Sequence, residues 1–231
     1  MRKKLLLLVC CLVVLGLGTA FAGVTGTTDP TQFNDTVDWC QFGCTGAAFP
    51  SPSAFTSALG NTGVVGNVGT LQPWYNLEDP NSWNGNFPPG MGLVYNGAAF
   101  GNTPTGIATQ LDEGVYGVGA WIQANFYGSF TATITLFDSS DQVIGTYSAN
   151  GVANPGAPPL TLFIGALDTS ADVWAAQFDV SNTAGGGEDF AIGTLGLATT
   201  PAQGTPEPST LMLLGSAIGF VGVIRRKLEV K

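Results

Sequence analysis

The sequence predicts an all-β fold: a jelly-roll-like β-sandwich, flanked by an N-terminal signal-peptide helix and a C-terminal transmembrane helix. Three observations lead to this prediction. The middle of the chain holds short runs in which apolar and polar residues alternate, as half-buried strands do. Gly, Ser, Thr, Asn and Pro are abundant, and no long amphipathic helix pattern is present. Each end of the chain carries an uncharged apolar stretch next to a basic cluster.

The first 22 residues have the pattern of a secretory signal peptide. A basic tripeptide at residues 2–4 precedes an apolar run at Leu5–Leu17, and Ala20 and Ala22 form an A-x-A cleavage site. We therefore expect export by the Sec machinery. Cys10 and Cys11 lie inside the apolar run and are expected to leave with it. A lipoprotein interpretation is weaker, because a small residue should precede the lipidated cysteine.

Residues 23–198 are predicted to form one exported β-sandwich domain. Thr131–Phe137 places its apolar residues on one face, which indicates a half-buried strand. Asp138–Gln142 is turn-like and Val143–Tyr147 is the predicted return strand, so a β-hairpin is expected here. Six strands in about 85 residues are typical of a sandwich or jelly roll. The other predicted strands are Val115–Gln123, Leu160–Ile164, Val173–Val180 and Phe190–Leu197, the last with a bulge at Gly193.

The first half of the domain, up to Asp112, shows less periodicity. We expect long loops, a few short strands that complete the same sandwich, and a short helix near Ser53–Leu59. Residues 199–205, rich in Thr, Pro and Gly, are predicted to be a linker between this domain and the C-terminal segment.

The charge distribution excludes several functions. All seven Lys and Arg lie in the two ends, and the chain has no His. Of its 16 carboxylates, only Glu207 and Glu229 lie beyond residue 205, which leaves 14 in the exported part. Nucleic acid is not an expected partner, since neutralising phosphate requires Lys or Arg. Ser-His-Asp, Cys-His and His-based metal catalysis are excluded as well.

Two cysteines remain in the exported part, Cys40 and Cys44, with C-x3-C spacing. A disulfide is the default in an oxidising compartment, and this one would close a very small loop. Free thiols, or a metal or redox pair, are the alternatives. The spacing is not the usual C-x-x-C, and no His is available to complete a metal site.

Three kinds of candidate binding or catalytic residue remain. Asp138 and Asp141 frame a loop that could hold a structural Ca²⁺, as could the loop at residues 187–189, although turn-forming Asp side chains explain both as well. Trp74, Tyr75 and Trp83 could stack on sugars or anchor loops. Glycoside hydrolysis needs a carboxylate pair, and neighbouring acids on a strand point to opposite faces. The adjacent acidic pairs are Glu78/Asp79, Asp112/Glu113 and Glu188/Asp189.

The C-terminal residues 206–231 have three parts in a fixed order. A stiff Pro206-Glu207-Pro208 tripeptide is followed by the uncharged run Ser209–Ile224 and then by Arg225, Arg226 and Lys227. The run is short for a membrane span, which takes about 20 apolar residues, but suffices for a thin or adapted bilayer. The basic cluster would stay in the cytoplasm. A buried core helix is the alternative.

This tail resembles the sorting signal of PEP-CTERM proteins, which occur in diderm bacteria that make exopolysaccharide. The resemblance implies recognition of Pro206-Glu207-Pro208 by a membrane enzyme, exosortase, transient anchoring in the inner membrane, and release to the cell surface or biofilm matrix. The body resembles exported modules common in these proteins through Val37-Asp38-Trp39, Asn84–Phe87, Phe126–Ile134 and Phe190–Gly193. Many relatives have Asp where Gly193 stands.

The resemblance of the body implies a jelly-roll-like sandwich and no established activity. We therefore expect a non-enzymatic surface or extracellular matrix module. A carbohydrate-binding module for exopolysaccharide is the first alternative, and a glycoside hydrolase is the second.

Overall fold

The computed structural model describes residues 23–43, 48–68, 74–77, 87–88, 90–96, 106–153, 161–182 and 189–201. The chain divides into two compact units, Met1–Pro201 and Ala202–Lys231, and the second lies outside the described residues. Regular structure in the described part is β, apart from two 3₁₀ helices, Pro30–Gln32 and Trp39–Phe42. Within it, no helix has the length and apolar character needed to cross a membrane.

The strands form two antiparallel sheets. They are β1 (Thr25–Thr27), β2 (Asp35–Val37), β3 (Ala48–Phe49), β4 (Ser53–Thr56), β5 (Thr62–Asn67), β6 (Trp74–Leu77), β7 (Leu93–Tyr95), β8 (Ile107–Val115), β9 (Gly117–Ala124), β10 (Gly128–Phe137), β11 (Val143–Ala153), β12 (Leu162–Leu167), β13 (Val173–Asn182) and β14 (Phe190–Ala198). Sheet A has the order β1-β12-β9-β14-β7-β6-β3, with β2 also paired to β14. Sheet B has the order β11-β10-β13-β8-β5-β4.

The inner faces of the two sheets share one hydrophobic core. Strand β10 of sheet B contributes Ile134 and Leu136, and β9 of sheet A contributes Val118 and Ile122, all fully buried. Each such side chain stabilises the fold by about 1.5–3 kcal/mol relative to its exposed state. Two antiparallel sheets packed face to face through alternating residues make a β-sandwich. The predicted all-β sandwich is confirmed.

Sheet A is covered on its outer face too. The ring of Phe33, which follows the first 3₁₀ helix, packs 5.2 Å from the ring of Phe163 on β12. A Cβ added at Gly165 would lie 2.5 Å from that Phe33 ring, and one at Gly196 would lie 2.9 Å from Phe33 Cβ. These two strand positions therefore require glycine so that Phe33 can lie flat on the sheet.

Sheet B, by contrast, presents hydroxyl and amide groups on its outer face. Three cross-strand hydrogen bonds connect β10 and β11 there: Thr131–Asn150 at 3.0 Å, Thr133–Ser148 at 2.9 Å and Thr135–Thr146 at 3.3 Å. This alternation of buried apolar and outward polar residues along β10 is the period-2 pattern that the sequence shows.

Several predicted elements are confirmed. The hairpin consists of β10 and β11, and the bulge at Gly193 corresponds to a shift in the β14–β9 register between Ile192 and Leu195. The strand predicted at Leu160–Ile164 is β12, which begins and ends slightly later. In β13 the register shifts between Val173 and Ala175, so Val173 is fully buried and Trp174 only half-buried.

Two predictions about local structure are wrong. The helix expected near Ser53–Leu59 is strand β4, because Phe55 turns into the core while its neighbours face solvent and pair with β5. The strand predicted to start at Val115 starts at Gly117. Val115 ends β8 instead, a strand that the low periodicity of the first half concealed.

Candidate functional site

Most of the predicted site residues lie outside the described part of the chain. They are the cleavage residues Ala20 and Ala22, the sorting residues Pro206, Glu207 and Pro208, the basic residues Arg225, Arg226 and Lys227, and Cys44 and Trp83. Trp74 and Tyr75 belong to β6, but their side chains also fall outside what the structure describes. The sugar-stacking prediction therefore stays a prediction.

A polar groove lies where β2 meets the second 3₁₀ helix and the end of β4. It has a volume of about 350 Å³. Its lining offers hydroxyl, amide and carboxylate groups and no cation. The residues that line it are Thr36, Asp38, Cys40, Gln41, Thr56, Ser57 and Ala58.

Asp38 and Gln41 fix the shape of this groove. Asp38 caps the second 3₁₀ helix, and its Oδ1 accepts a hydrogen bond from Cys40 N at 2.9 Å. Gln41 joins the helix to β4: its Oε1 accepts from Thr56 N at 2.9 Å, and its Nε2 donates to Asp38 O at 2.8 Å. The amide of Gln41 thus acts as a cross-brace between two walls. Cys40 is disulfide-bonded, and its partner lies outside the described residues.

Trp39 lies in the core, between Asp38 and Cys40 in the chain, two residues that line the groove. Its indole ring is fully buried, stacks on Phe42 at 6.1 Å and meets Phe55 edge-on at 5.7 Å. Its Nε1–H donates to Gly193 O at 2.7 Å. Gly193 lies at the β14 bulge, between the part of β14 that pairs with β7 and the part that pairs with β2. Trp39 therefore joins the second 3₁₀ helix to the bulge of β14.

The side chains around Gly193 leave no room for a larger residue at this position. A Cβ there would lie 2.2 Å from Met91 Sδ and 3.3 Å from the Phe87 ring. An Asp at this position would require Met91 to move away. The side chains around Gly193 in this chain are thus fitted to glycine.

Asp35 is a buried carboxylate held by neutral donors. Its Oδ1 accepts from Thr36 N at 2.8 Å and Leu59 N at 2.9 Å, and its Oδ2 accepts from Asn61 Nδ2 at 2.7 Å. Burial alone would raise the pKa of Asp35, but these hydrogen bonds and one from Ser57 outweigh burial and lower the pKa below its usual value. Asp35 thereby ties β2 to the turn that follows β4.

Asp138 and Asp141 form the tip of the β10–β11 hairpin. Asp138 Oδ1 accepts from Ser140 N at 2.8 Å and Gln142 N at 3.0 Å, and Asp141 takes a left-handed backbone conformation with φ of 58°. Asp138 thus closes the turn itself, as Asx turns do. No group of three or more Cys, Asp or Glu that could hold a metal occurs in the described residues. Calcium at Asp138 and Asp141 stays a prediction.

Sequence reasoning missed the roles of Asp35, Gln41 and Trp39. A signal existed in part: Val37-Asp38-Trp39 was singled out by resemblance, and an Asp before a short helix is a known N-cap pattern. Nothing in the sequence indicates that Trp39 reaches Gly193, because the two are 154 positions apart.

The fold and the groove define a β-sandwich protein with a polar surface site. Residues 205–227 match the family of the PEP-CTERM protein-sorting motif. The chain is therefore a PEP-CTERM motif-containing protein, and this motif indicates an exported protein with a C-terminal sorting signal. A search of curated proteins finds no match.

Some solved structures resemble the fold distantly. A DUF4465 family protein from Bacteroides caccae is 12% identical, with a TM-score of 0.39 and coverage of 70% of this chain and 98% of that one. A family 43 arabinoxylan arabinofuranohydrolase from Bacillus subtilis, in complex with cellotetraose, is 15% identical (TM-score 0.30, coverage 55% and 25%). TmCBM61 in complex with β-1,4-galactotriose is 12% identical (TM-score 0.28, coverage 59% and 87%). Such low scores establish neither a shared activity nor a shared ligand.

Proposed function

We propose that the chain is an exosortase-processed protein of the cell surface or extracellular matrix, and that its β-sandwich is a non-enzymatic module. The observation that carries this proposal is the sorting motif at residues 205–227. The charge distribution supports it: between residues 23 and 205 there is no Lys, Arg or His, whereas all seven cations flank the apolar ends. An anionic body between two cation-flanked apolar ends suits a protein that crosses the membrane and stays soluble outside.

The strand order supports the finer description of the module as a jelly roll. Strands β12-β9-β14-β7 of sheet A face β11-β10-β13-β8 of sheet B. From β7 to β14 the chain changes sheet at every connection except the β10–β11 hairpin. Eight strands arranged in this way are the pattern of a double-sheet jelly roll. Such a fold is a scaffold suited to work outside the cell.

Intact-mass analysis of the extracellular protein tests the proposal. We expect a species that has lost residues 1–22 and the C-terminal tail after the sorting motif. A Pro206→Ala/Pro208→Ala variant should keep its tail and stay in the membrane fraction, while the control Pro201→Ala, just before the motif, should be processed normally. Full-length protein in the cytosol of the producing cell would contradict the proposal. Cleavage of any member of a polysaccharide panel would contradict the non-enzymatic role.

Carbohydrate binding is the second candidate, and the polar groove favours it. At about 350 Å³, it falls in the size range of small-ligand sites, and its hydroxyls, amide and single carboxylate can exchange hydrogen bonds with a neutral sugar. It offers no cation for an anionic group. Binding of the producing cell's exopolysaccharide should weaken in Thr56→Val, which removes an exposed hydroxyl from the groove wall, and should be unchanged in Thr135→Val on the outer face of sheet B. Equal loss in both variants would exclude this groove.

A further inference from the structure

Strand β11 is an unusually long edge of the sandwich. The other edges are short: β1 has three residues, β3 two and β4 four. Strand β11 has 11 residues, and among the described residues it pairs only with β10. That pairing is regular from Gly128↔Ala153 to Leu136↔Gly145, and its register shift comes only at the turn. One side of β11 therefore presents a long, straight row of backbone N–H and C=O groups.

Charge and proline, two usual protections of a long edge, are absent from β11. Natural edge strands are guarded by charged residues, by proline, by a central bulge or by short length. The sequence from Val143 to Ala153 contains no charged residue and no proline. Two apolar side chains near its ends are exposed, Val143 by 59% and Val152 by 50%. Such an edge is a template for a further strand.

The charge distribution limits where a second copy of this chain can bind. Copies of a body with 14 carboxylates and no cation repel each other almost everywhere. The β10 and β11 strands carry no charge at all, so this hairpin is where two copies can meet. Its nearest acids along the chain, Asp138 and Asp141, lie in the turn. An antiparallel arrangement puts the two turns at opposite ends of the joined strands, about 35 Å apart.

We propose that β11 pairs antiparallel with β11 of a second copy and joins the two B sheets into one. Opposite residues in an antiparallel pair lie on the same face, and a two-fold axis makes the contact self-complementary. The central residue of the outward set on β11 is Ser148, which would face its own counterpart. Thr146 then faces Asn150 of the second copy, so hydroxyl and amide side chains lie opposite each other on the outer face.

This inference depends on sheet B and not on export or sorting, so the two proposals can fail separately. The test uses the full chain in a non-ionic detergent that keeps the apolar ends apart. Analytical ultracentrifugation over a concentration series should show a monomer–dimer equilibrium that strengthens with added NaCl, because salt screens repulsion between the acidic bodies. EDTA should leave the equilibrium unchanged.

Charge substitutions at the edge give the sharpest comparison. Ser148→Lys and Ser148→Glu each place like charges opposite each other in the pair, and each should raise the dimer dissociation constant at least tenfold. Gln110→Lys and Gln110→Glu are matched controls, since Gln110 is exposed on the interior strand β8 of the same sheet. Far-UV circular dichroism checks that all four fold. In addition, Ser148→Cys should form a disulfide-linked dimer under oxidation, because paired Cα atoms at 4.5–5.5 Å suit a disulfide.

Four results would overturn the proposal. The first is a monomer at every concentration and salt level, and the second is an equal effect of charge at residues 148 and 110. The third is loss of the dimer in EDTA, which would assign association to cation bridging between carboxylates. The fourth is a dimer that survives both Ser148 charge variants, which would place the contact elsewhere on the molecule.

Discussion

Replacing Trp39 by Phe tests how the β14 bulge is held. The substitution keeps an aromatic ring between Phe42 and Phe55 but removes the Nε1–H that donates to Gly193 O at 2.7 Å. A buried carbonyl left without its donor costs about 1–3 kcal/mol. Loss of the second ring from a fully buried site adds about 1 kcal/mol of packing. The expected destabilisation is therefore about 2–4 kcal/mol, or about 4–16 °C in the unfolding midpoint of a domain of this size.

Urea unfolding followed by far-UV circular dichroism measures this difference in the full chain. Trp174→Phe is the matched control, because Trp174 is half-buried and should cost less than about 1 kcal/mol. If Trp39→Phe changed stability by no more than the control, the carbonyl of Gly193 would have another donor, and the proposed link between the bulge and the groove would be refuted.

Three further predictions concern single carboxylates. Because the pKa of Asp35 is lowered in the folded state, its carboxylate stabilises the fold above the unfolded pKa of about 3.9, and this stabilisation is lost as pH falls through the folded pKa. Asp35→Asn should therefore lower stability at pH 7 and make stability fall less steeply in acid. Unfolding midpoints from pH 2 to 7 measure both effects. Burial raises the pKa of Asp179, partly offset by Gln177, so its charge costs stability at neutral pH. Asp179→Asn should therefore stabilise the fold at pH 7, by an advantage that fades as the wild-type carboxyl protonates in acid, and an advantage independent of pH would contradict this cause. If the Asp138 carboxylate only closes the turn, Asp138→Ala should lower the free energy of unfolding by about 1 kcal/mol both in EDTA and in calcium. A larger loss of stability in calcium than in EDTA would establish an ion there.

The sequence predicts the second half of the fold well because each strand there carries its own signal. In β10 the apolar residues alternate with threonines, so the period of two identifies both the strand and its buried face. Gly193 marked a bulge because a glycine interrupts an apolar strand. Sheet A is harder to predict from the sequence, since β9 and β14 are buried on both faces and the β14 glycines Gly193 and Gly196 accommodate Met91 and Phe33.

The candidate groove could not be predicted, for a different reason. Its walls come from β2, the second 3₁₀ helix and β4, three short elements without periodicity. The contacts that assemble them, such as Asp35 with Asn61 and Trp39 with Gly193, join residues 26 and 154 positions apart. Local patterns carry no information about such pairs. Ser53–Leu59 was misread as a helix for the same reason, since only pairing with β5 makes it a strand.

The absence of cations from the exported part determines how its carboxylates are stabilised. With no Lys, Arg or His between residues 23 and 205, no two side chains there can form a salt bridge with each other. Neutral donors replace the missing cations. Asp35 uses Asn61 and backbone N–H groups, Asp168 accepts from Thr169 N at 2.6 Å, and Asp189 accepts from Tyr95 Oη at 2.6 Å and Asn125 Nδ2 at 2.9 Å.

Hydrogen bonds to ionised groups contribute about 1.5–3 kcal/mol each without requiring an opposite charge. Added salt has no internal ion pair to weaken in this part of the chain and screens only the repulsion between carboxylates. Salt should therefore raise the stability of the exported part, and the same screening should favour contact between copies at the uncharged β10–β11 hairpin. A chain built in this way is suited to an exterior of variable ionic strength, where a fold that depended on surface ion pairs would weaken as salt increased.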